Sequence, residues 1–141
     1  MSYDNFAHTF SKSRKNHPWP EIDAIIGDIK KERFSSILDI GCGNGRFLEE
    51  ADCANLHIEH YLWLDSSAWM IEEARRLHRK YQFEVISMES LWNYETVKLW
   101  SWDAILFLAS FHHLDTPKAR IKVLEDIKLF LKPTGRVYMT N

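Results

Sequence analysis

The stretch from Ser36 to Phe47, SILDIGCGNGRF, carries a short, largely apolar run that halts at a glycine. Glycines follow at alternate positions, Gly41, Gly43 and Gly45, and helix-compatible residues resume at Arg46. A run of this length that ends in glycine predicts a buried strand, then a tight loop, then a helix. That unit is the first step of an α/β sheet.

The same alternation recurs along the chain. Upstream, Trp19-Pro20 opens a helix, since a first-turn proline loses no hydrogen bond there, and Ile22, Ile25, Ile26 and Ile29 continue it to about Arg33. Downstream, the helix from Arg46 runs to about Ala54, and HYLWL, His60 to Leu64, is a second strand closed by Asp65. Ser66 or Ser67 caps a helix that sets Met70, Ala74, Leu77 and Tyr81 on one face and Glu72 opposite Arg76. Gln82 to Ile86 is a third strand, Ser90 to Leu99 a short amphipathic helix, and AILFLAS, Ala104 to Ser110, a fourth strand buried on both faces. Thr116-Pro117 starts a helix through Ile121, Leu124, Ile127, Lys128 and Leu131; a turn at Lys132 to Gly135 leads to a fifth strand, Arg136 to Thr140. The expected fold is α/β: a doubly wound, Rossmann-like, mostly parallel sheet of five strands with helices on both faces.

Composition narrows the function. The 141 residues suit one domain, with residues 1–18 as an N-terminal cap and 19–141 as the core. A net charge of −2, from 18 basic and 20 acidic residues, demands no polyanionic partner. The basic clusters Lys12 to Lys15 and Arg75 to Lys80 read as solvated faces. Cys42 and Cys53 lack metal-ligand spacing, so no metal site is expected. No apolar run approaches the ~18 residues of a membrane span, and the N-terminus has no secretory core, so a reduced, cytoplasmic setting is expected.

In such a sheet, ligands bind beyond the carboxyl ends of the strands where strand order reverses. A dinucleotide loop normally reads G-x-G-x-x-G, whereas this one reads G-x-G-x-G behind Asp39. A carboxylate repels a pyrophosphate but favours a sulfonium and an ammonium, both carried by S-adenosyl-L-methionine. Asp65, 22 residues past Gly43, is placed for two ribose hydroxyls in either ligand class. Ser110, His112 and His113 border the same rim, and either histidine is a candidate base or a group that orients a carboxylate. Arg14 and Arg120 are candidate anchors for an anionic acceptor. Of the six tryptophans, most are assigned to the core and Trp19 to a substrate wall.

ILDIGCGNGRF, LDSS, WDAILFLASFHHL and LKPTGRVYMT together resemble the successive motifs of class I S-adenosylmethionine-dependent methyltransferases, over about residues 36 to 140. YDNFAHTFSKSR followed by PWPEI is similar to the N-terminal segment of the tRNA wobble-uridine carboxymethyl methyltransferases. The resemblance implies that Gly41, Cys42, Gly43, Asn44 and Gly45 form the loop around the methionine portion, with Asp39 ordering it beneath the sulfonium. It implies Asp65 on the ribose, with Leu64 and Ser66 beside the adenine. Where the family offers an aspartate and a small residue to the adenine edge, this chain has Ser87-Met88-Glu89, which leaves the Ser87 hydroxyl or the Met88 N–H.

The expected activity is methyl transfer, to a carboxylate on a tRNA wobble uridine or to a small-molecule acid or hydroxyl. The family pattern also continues past a fifth strand, which implies either a fragment or an edge covered by a homodimer or protein partner. The rival reading is a non-catalytic cofactor-binding module that pairs with a partner chain; a dinucleotide-dependent oxidoreductase is weaker still.

Overall fold

The computed structural model describes residues 20–41, 46–88, 91, 97, 99–108, 110 and 114–140. Helix α1 spans Pro20–Glu32, strand β1 Ser36–Ile40, α2 Arg46–Cys53, β2 His60–Asp65 and α3 Ala68–Leu77. Strand β3 spans Gln82–Val85, β4 Trp102–Leu108, α4 Pro117–Phe130 and β5 Leu131–Thr140. All pairings are parallel, in the order β3-β2-β1-β4-β5. The chain steps outward from β1 to β3 and then crosses to the other side of β1, so strand order reverses between β1 and β4. In open sheets of this kind the ligand crevice lies at that reversal.

Side-chain alternation along the strands divides the core into two layers. One layer holds Ile22, Ile25, Ile26 and Ile29 of α1, Phe47, Leu48 and Ala51 of α2 and Ile71 and Ala74 of α3 against Ile37, Tyr61, Trp63, Ala104 and Leu106. The other holds Val123, Ile127 and Phe130 of α4 against Leu38, Ile40, Leu62, Leu64, Ile105 and Phe107. All five residues of β1 are buried, as expected for a central strand with helices on both sides.

Local chemistry sets the element ends. After α1, Arg33 adopts a left-handed φ of 59°, and the N–H groups of Arg33 and Phe34 donate to the carbonyls of Lys30 and Ile29. After α2, Asn55 at φ 55° does the same, with its own N–H and that of Leu56 donating to Asp52 and Ala51. Ser67 caps α3 by accepting from the Met70 N–H, and Thr116 caps α4 by accepting from Ala119.

Several expectations are corrected. The face of α4 toward the sheet is Val123, Ile127 and Phe130, while Ile121 and Leu124 are 56% and 37% exposed. Neighbouring positions on a helix differ by ~100°, so a one-residue change of stripe turns the whole face. Arg76 pairs with Glu73 at i,i+3, at 2.6 Å, rather than with Glu72. The third helix ends at Leu77, which leaves Tyr81 beyond it. Strand β4 starts at Trp102 and ends at Leu108, two residues earlier than AILFLAS at each end. Strand β5 begins at Leu131, because Leu131 pairs with Trp102 and Arg136 with Ala104, and residues 132–135 form an irregularity within the strand. Gly135 is required there: a Cβ would sit 2.6 Å from the Leu131 side chain and 2.8 Å from the Asp103 carbonyl. Trp63 and Trp102 are core residues as expected, but Trp100 is exposed. The helix expected over Ser90 to Leu99 lies mostly outside the described residues.

Candidate functional site

Three strand ends are stitched together at the reversal point. Gly41, directly after β1, has φ +74°, and its N–H donates to the Leu64 carbonyl of β2 at 2.6 Å. The Ser110 hydroxyl, just past β4, donates to the Ile40 carbonyl at 2.8 Å. A Cβ on Gly41 would meet the Ser110 Cβ at 2.5 Å. Glycine is therefore demanded twice, by the backbone angle and by the close approach of Ser110.

Asp39 sits one residue before β1 ends and is wholly buried. The Tyr61 hydroxyl donates to its Oδ2 at 2.7 Å, and its Oδ1 has no hydrogen-bond partner among the described residues. Burial pushes the Asp39 carboxyl up to about 7; the Tyr61 hydrogen bond opposes this and the Asp65 charge adds to it.

Asp65 ends β2 and is also buried. Its Oδ1 accepts the Ser67 N–H at 2.8 Å, and its carbonyl accepts the Ile86 N–H at 2.9 Å, so this acid is fixed both to the cap of α3 and to the end of β3. Leu64 is buried and contributes its carbonyl, Ser66 and Ser87 are exposed, and Met88 is partly buried against the α4-side layer. At the head of α2, Arg46 pairs with Glu50 at 3.1 Å.

The structure thus brings Asp39, Gly41, Leu64, Asp65 and Ser110 together at one end of the sheet. Arg14, Trp19, Cys42, Gly43, Asn44, Gly45, His112 and His113 lie outside the described residues. Sequence reasoning missed Tyr61, which reads there as one more apolar residue of a buried strand. Among the described residues no cluster of His, Cys, Asp and Glu could hold a metal, and no helix is long and apolar enough to cross a membrane. A glycine turn too tight for a Cβ, a buried acid with an unpartnered oxygen and a fixed second acid suit a ligand that carries positive charge and a ribose.

The sequence profile described as a methyltransferase domain matches residues 38–137, from within β1 almost to the end of β5. The chain belongs to this methyltransferase domain family. It is 30% identical over 135 residues to the tRNA (carboxymethyluridine(34)-5-O)-methyltransferase ALKBH8 of Macaca fascicularis, covering 95% of this chain and 18% of that protein. The chain thus spans less than a fifth of this relative. Among solved structures, the plantazolicin methyltransferase BpumL in complex with SAH has a TM-score of 0.61 at 28% identity, covering 75% of this chain and 38% of that one. The putative methyltransferase of Haloferax volcanii, seen with the Trm112 methyltransferase activator, has a TM-score of 0.77 at 22% identity, covering 97% of this chain and 57% of that one. This last likeness speaks to the fold alone.

Proposed function

We propose that this methyltransferase domain binds S-adenosyl-L-methionine at the ends of β1, β2 and β4 and transfers its methyl group to a carboxylate on a tRNA wobble uridine. The observation that carries the cofactor reading is the buried Asp39 beneath the Gly41 turn, inside the segment that matches the family. When bound, this cofactor supplies a methyl group made electrophilic by a sulfonium.

The chain's own residues hold and orient. Gly41 keeps side chains out of the crevice so that a ligand can lie against backbone. Asp39 supplies negative potential to a cationic ligand from a site that water does not screen. Asp65, fixed by the Ser67 N–H, is set to accept from ribose hydroxyls. Ser66, Ser87 and Met88 are assigned to the adenine end. A carboxylate acceptor is already ionised at neutral pH, so alignment rather than proton removal is the main task. On this reading Arg14 pairs with the acceptor's negative charge, and His112 and His113 orient it. The support for the acceptor is the relationship to ALKBH8, whose name gives carboxymethyluridine 34.

Calorimetry with S-adenosylhomocysteine tests the cofactor reading. The wild-type chain is expected to bind, and Asp65→Ala to bind at least about tenfold more weakly, the scale of a lost hydrogen bond to a charged group. A folded wild-type chain that binds none removes the reading. Transfer of labelled methyl to an anticodon stem-loop containing carboxymethyluridine, but not to the same loop with plain uridine, is the expected result for the acceptor.

A further inference from the structure

Tyr61 is held more firmly than a strand tyrosine needs to be. Its ring is stacked on Phe47 at 6.0 Å between centroids, meets Trp63 edge-on at 4.8 Å and lies against Tyr81 at 5.6 Å. These contacts fix the ring, and the ring fixes where the hydroxyl ends, 2.7 Å from Asp39 Oδ2. The parallel register places Tyr61 beside Ile37, two residues before Asp39 on the same face, so the hydroxyl reaches forward along the sheet toward the ligand end.

We propose that Tyr61 is a positioning residue for the ligand site, whose hydroxyl keeps the buried Asp39 carboxylate available as the counter-charge of a cationic ligand. This rests on the S-adenosylmethionine reading above. Without the hydroxyl, both Asp39 oxygens would lack a partner among the described residues, and burial would favour the neutral acid. A neutral acid offers no field to an ammonium or a sulfonium. Ligand affinity is therefore linked to pH through Asp39, and Tyr61 sets where the link falls.

Among the described residues the charged surroundings of Asp39 are few. From β2 come the Tyr61 hydroxyl and the Asp65 carboxylate, which raises the Asp39 pKa. Strand β4 sets Leu106 beside Asp39 and Ala104 and Leu108 in the same layer, all apolar. Helix α2 buries Phe47, Leu48 and Ala51 in that layer and carries the Arg46–Glu50 pair at its head. Helix α1 buries only isoleucines there. His78, at the end of α3, stands edge-on to Trp63, and His112 and His113, outside the described residues, are the site's other histidines.

The experiment is calorimetry of S-adenosylhomocysteine binding from pH 6 to pH 8.5 on the wild type, Tyr61→Phe and Asp39→Asn, with thermal melts of each. The wild type is expected to bind more weakly as pH falls and Asp39 takes up a proton. In Tyr61→Phe the acid limb should move up by about one pH unit, weakening binding about fivefold near pH 7 and recovering toward wild type at pH 8.5. Asp39→Asn should bind weakly and without the limb. A Tyr61→Phe chain that loses affinity equally at every pH, or whose limb does not move, overturns the proposal and leaves the cofactor reading intact. So does a limb that persists in Asp39→Asn, which would assign it to a histidine and would settle the matter even if Tyr61→Phe failed to fold. Wild type that binds at no pH overturns the cofactor reading instead.

Discussion

Asp39 and Asp103 lie at opposite ends of neighbouring strands, and the sheet treats them in opposite ways. At the amino end, Asp103 Oδ2 accepts the N–H groups of Ser35 and Ser36 at 2.9 and 3.1 Å, and Lys132 lies 3.1 Å from its Oδ1. Its own N–H donates to the Ser36 hydroxyl at 2.8 Å. Desolvation raises its pKa, but the backbone donors and Lys132 outweigh that and hold it below the usual carboxylate range. At the carboxyl end, Asp39 has among the described residues one tyrosine donor and no cation, and its full burial pushes it up to about 7. An acid satisfied on all sides fastens strands; an acid left short of partners is the one proposed above to face a ligand.

The strongest way to break the contrast is to damage the carboxyl end alone. Gly41→Ala forces a left-handed φ and drives a Cβ against Ser110, so a loss of about 3 kcal/mol in chemical denaturation is expected, with ligand binding abolished. Asp103→Ala should cost about 2 kcal/mol by removing a charged acceptor from two backbone donors, while ligand affinity stays within about twofold. Because the folded pKa of Asp103 is lowered, its contribution is present above about pH 4 and is lost as pH falls through the folded value. Urea midpoints between pH 3 and pH 7 check this.

Asp39→Asn sharpens the contrast with a smaller effect of opposite sign. Between the unfolded value of 3.8 and about 7, the folded chain holds one more proton than the unfolded chain, so the wild type loses stability as pH rises through that window. Asparagine removes the linkage but leaves amide donors to satisfy, for a net gain of about 1–2 kcal/mol at pH 8 and none at pH 4. Higher stability joined to weaker ligand binding would mark Asp39 as a site acid; lower stability at pH 8 would place it with Asp103.

Much of this was legible before any coordinates. The strand from Ser36, the turn at Gly41, the helix from Arg46, the α/β alternation and the strand-end positions of Asp39 and Asp65 all rest on local signals: residue type, spacing and caps. The failures share a cause. Ile121 and Leu124 carry the same helical period as the buried stripe, and only docking on the sheet decides which stripe turns inward. Strand β5 starts five residues earlier than its turn chemistry suggests, because pairing with β4 absorbs Pro133 and Gly135 within the strand. The contact of Ser110 with Gly41 and the bond from its hydroxyl to the Ile40 carbonyl, 70 residues away in sequence, likewise exist only in the paired sheet.

The sequence by itself determined the fold class and the acids at the carboxyl ends of β1 and β2, because hydrophobic period, glycine spacing and capping act over a few residues. Only the tertiary structure decided that Tyr61 answers to Asp39 and that Ser110 makes Gly41 irreplaceable. Both contacts need strands distant in the chain to pair in one register, and it is burial within the closed sheet that makes an ordinary aspartate hold its proton to about pH 7.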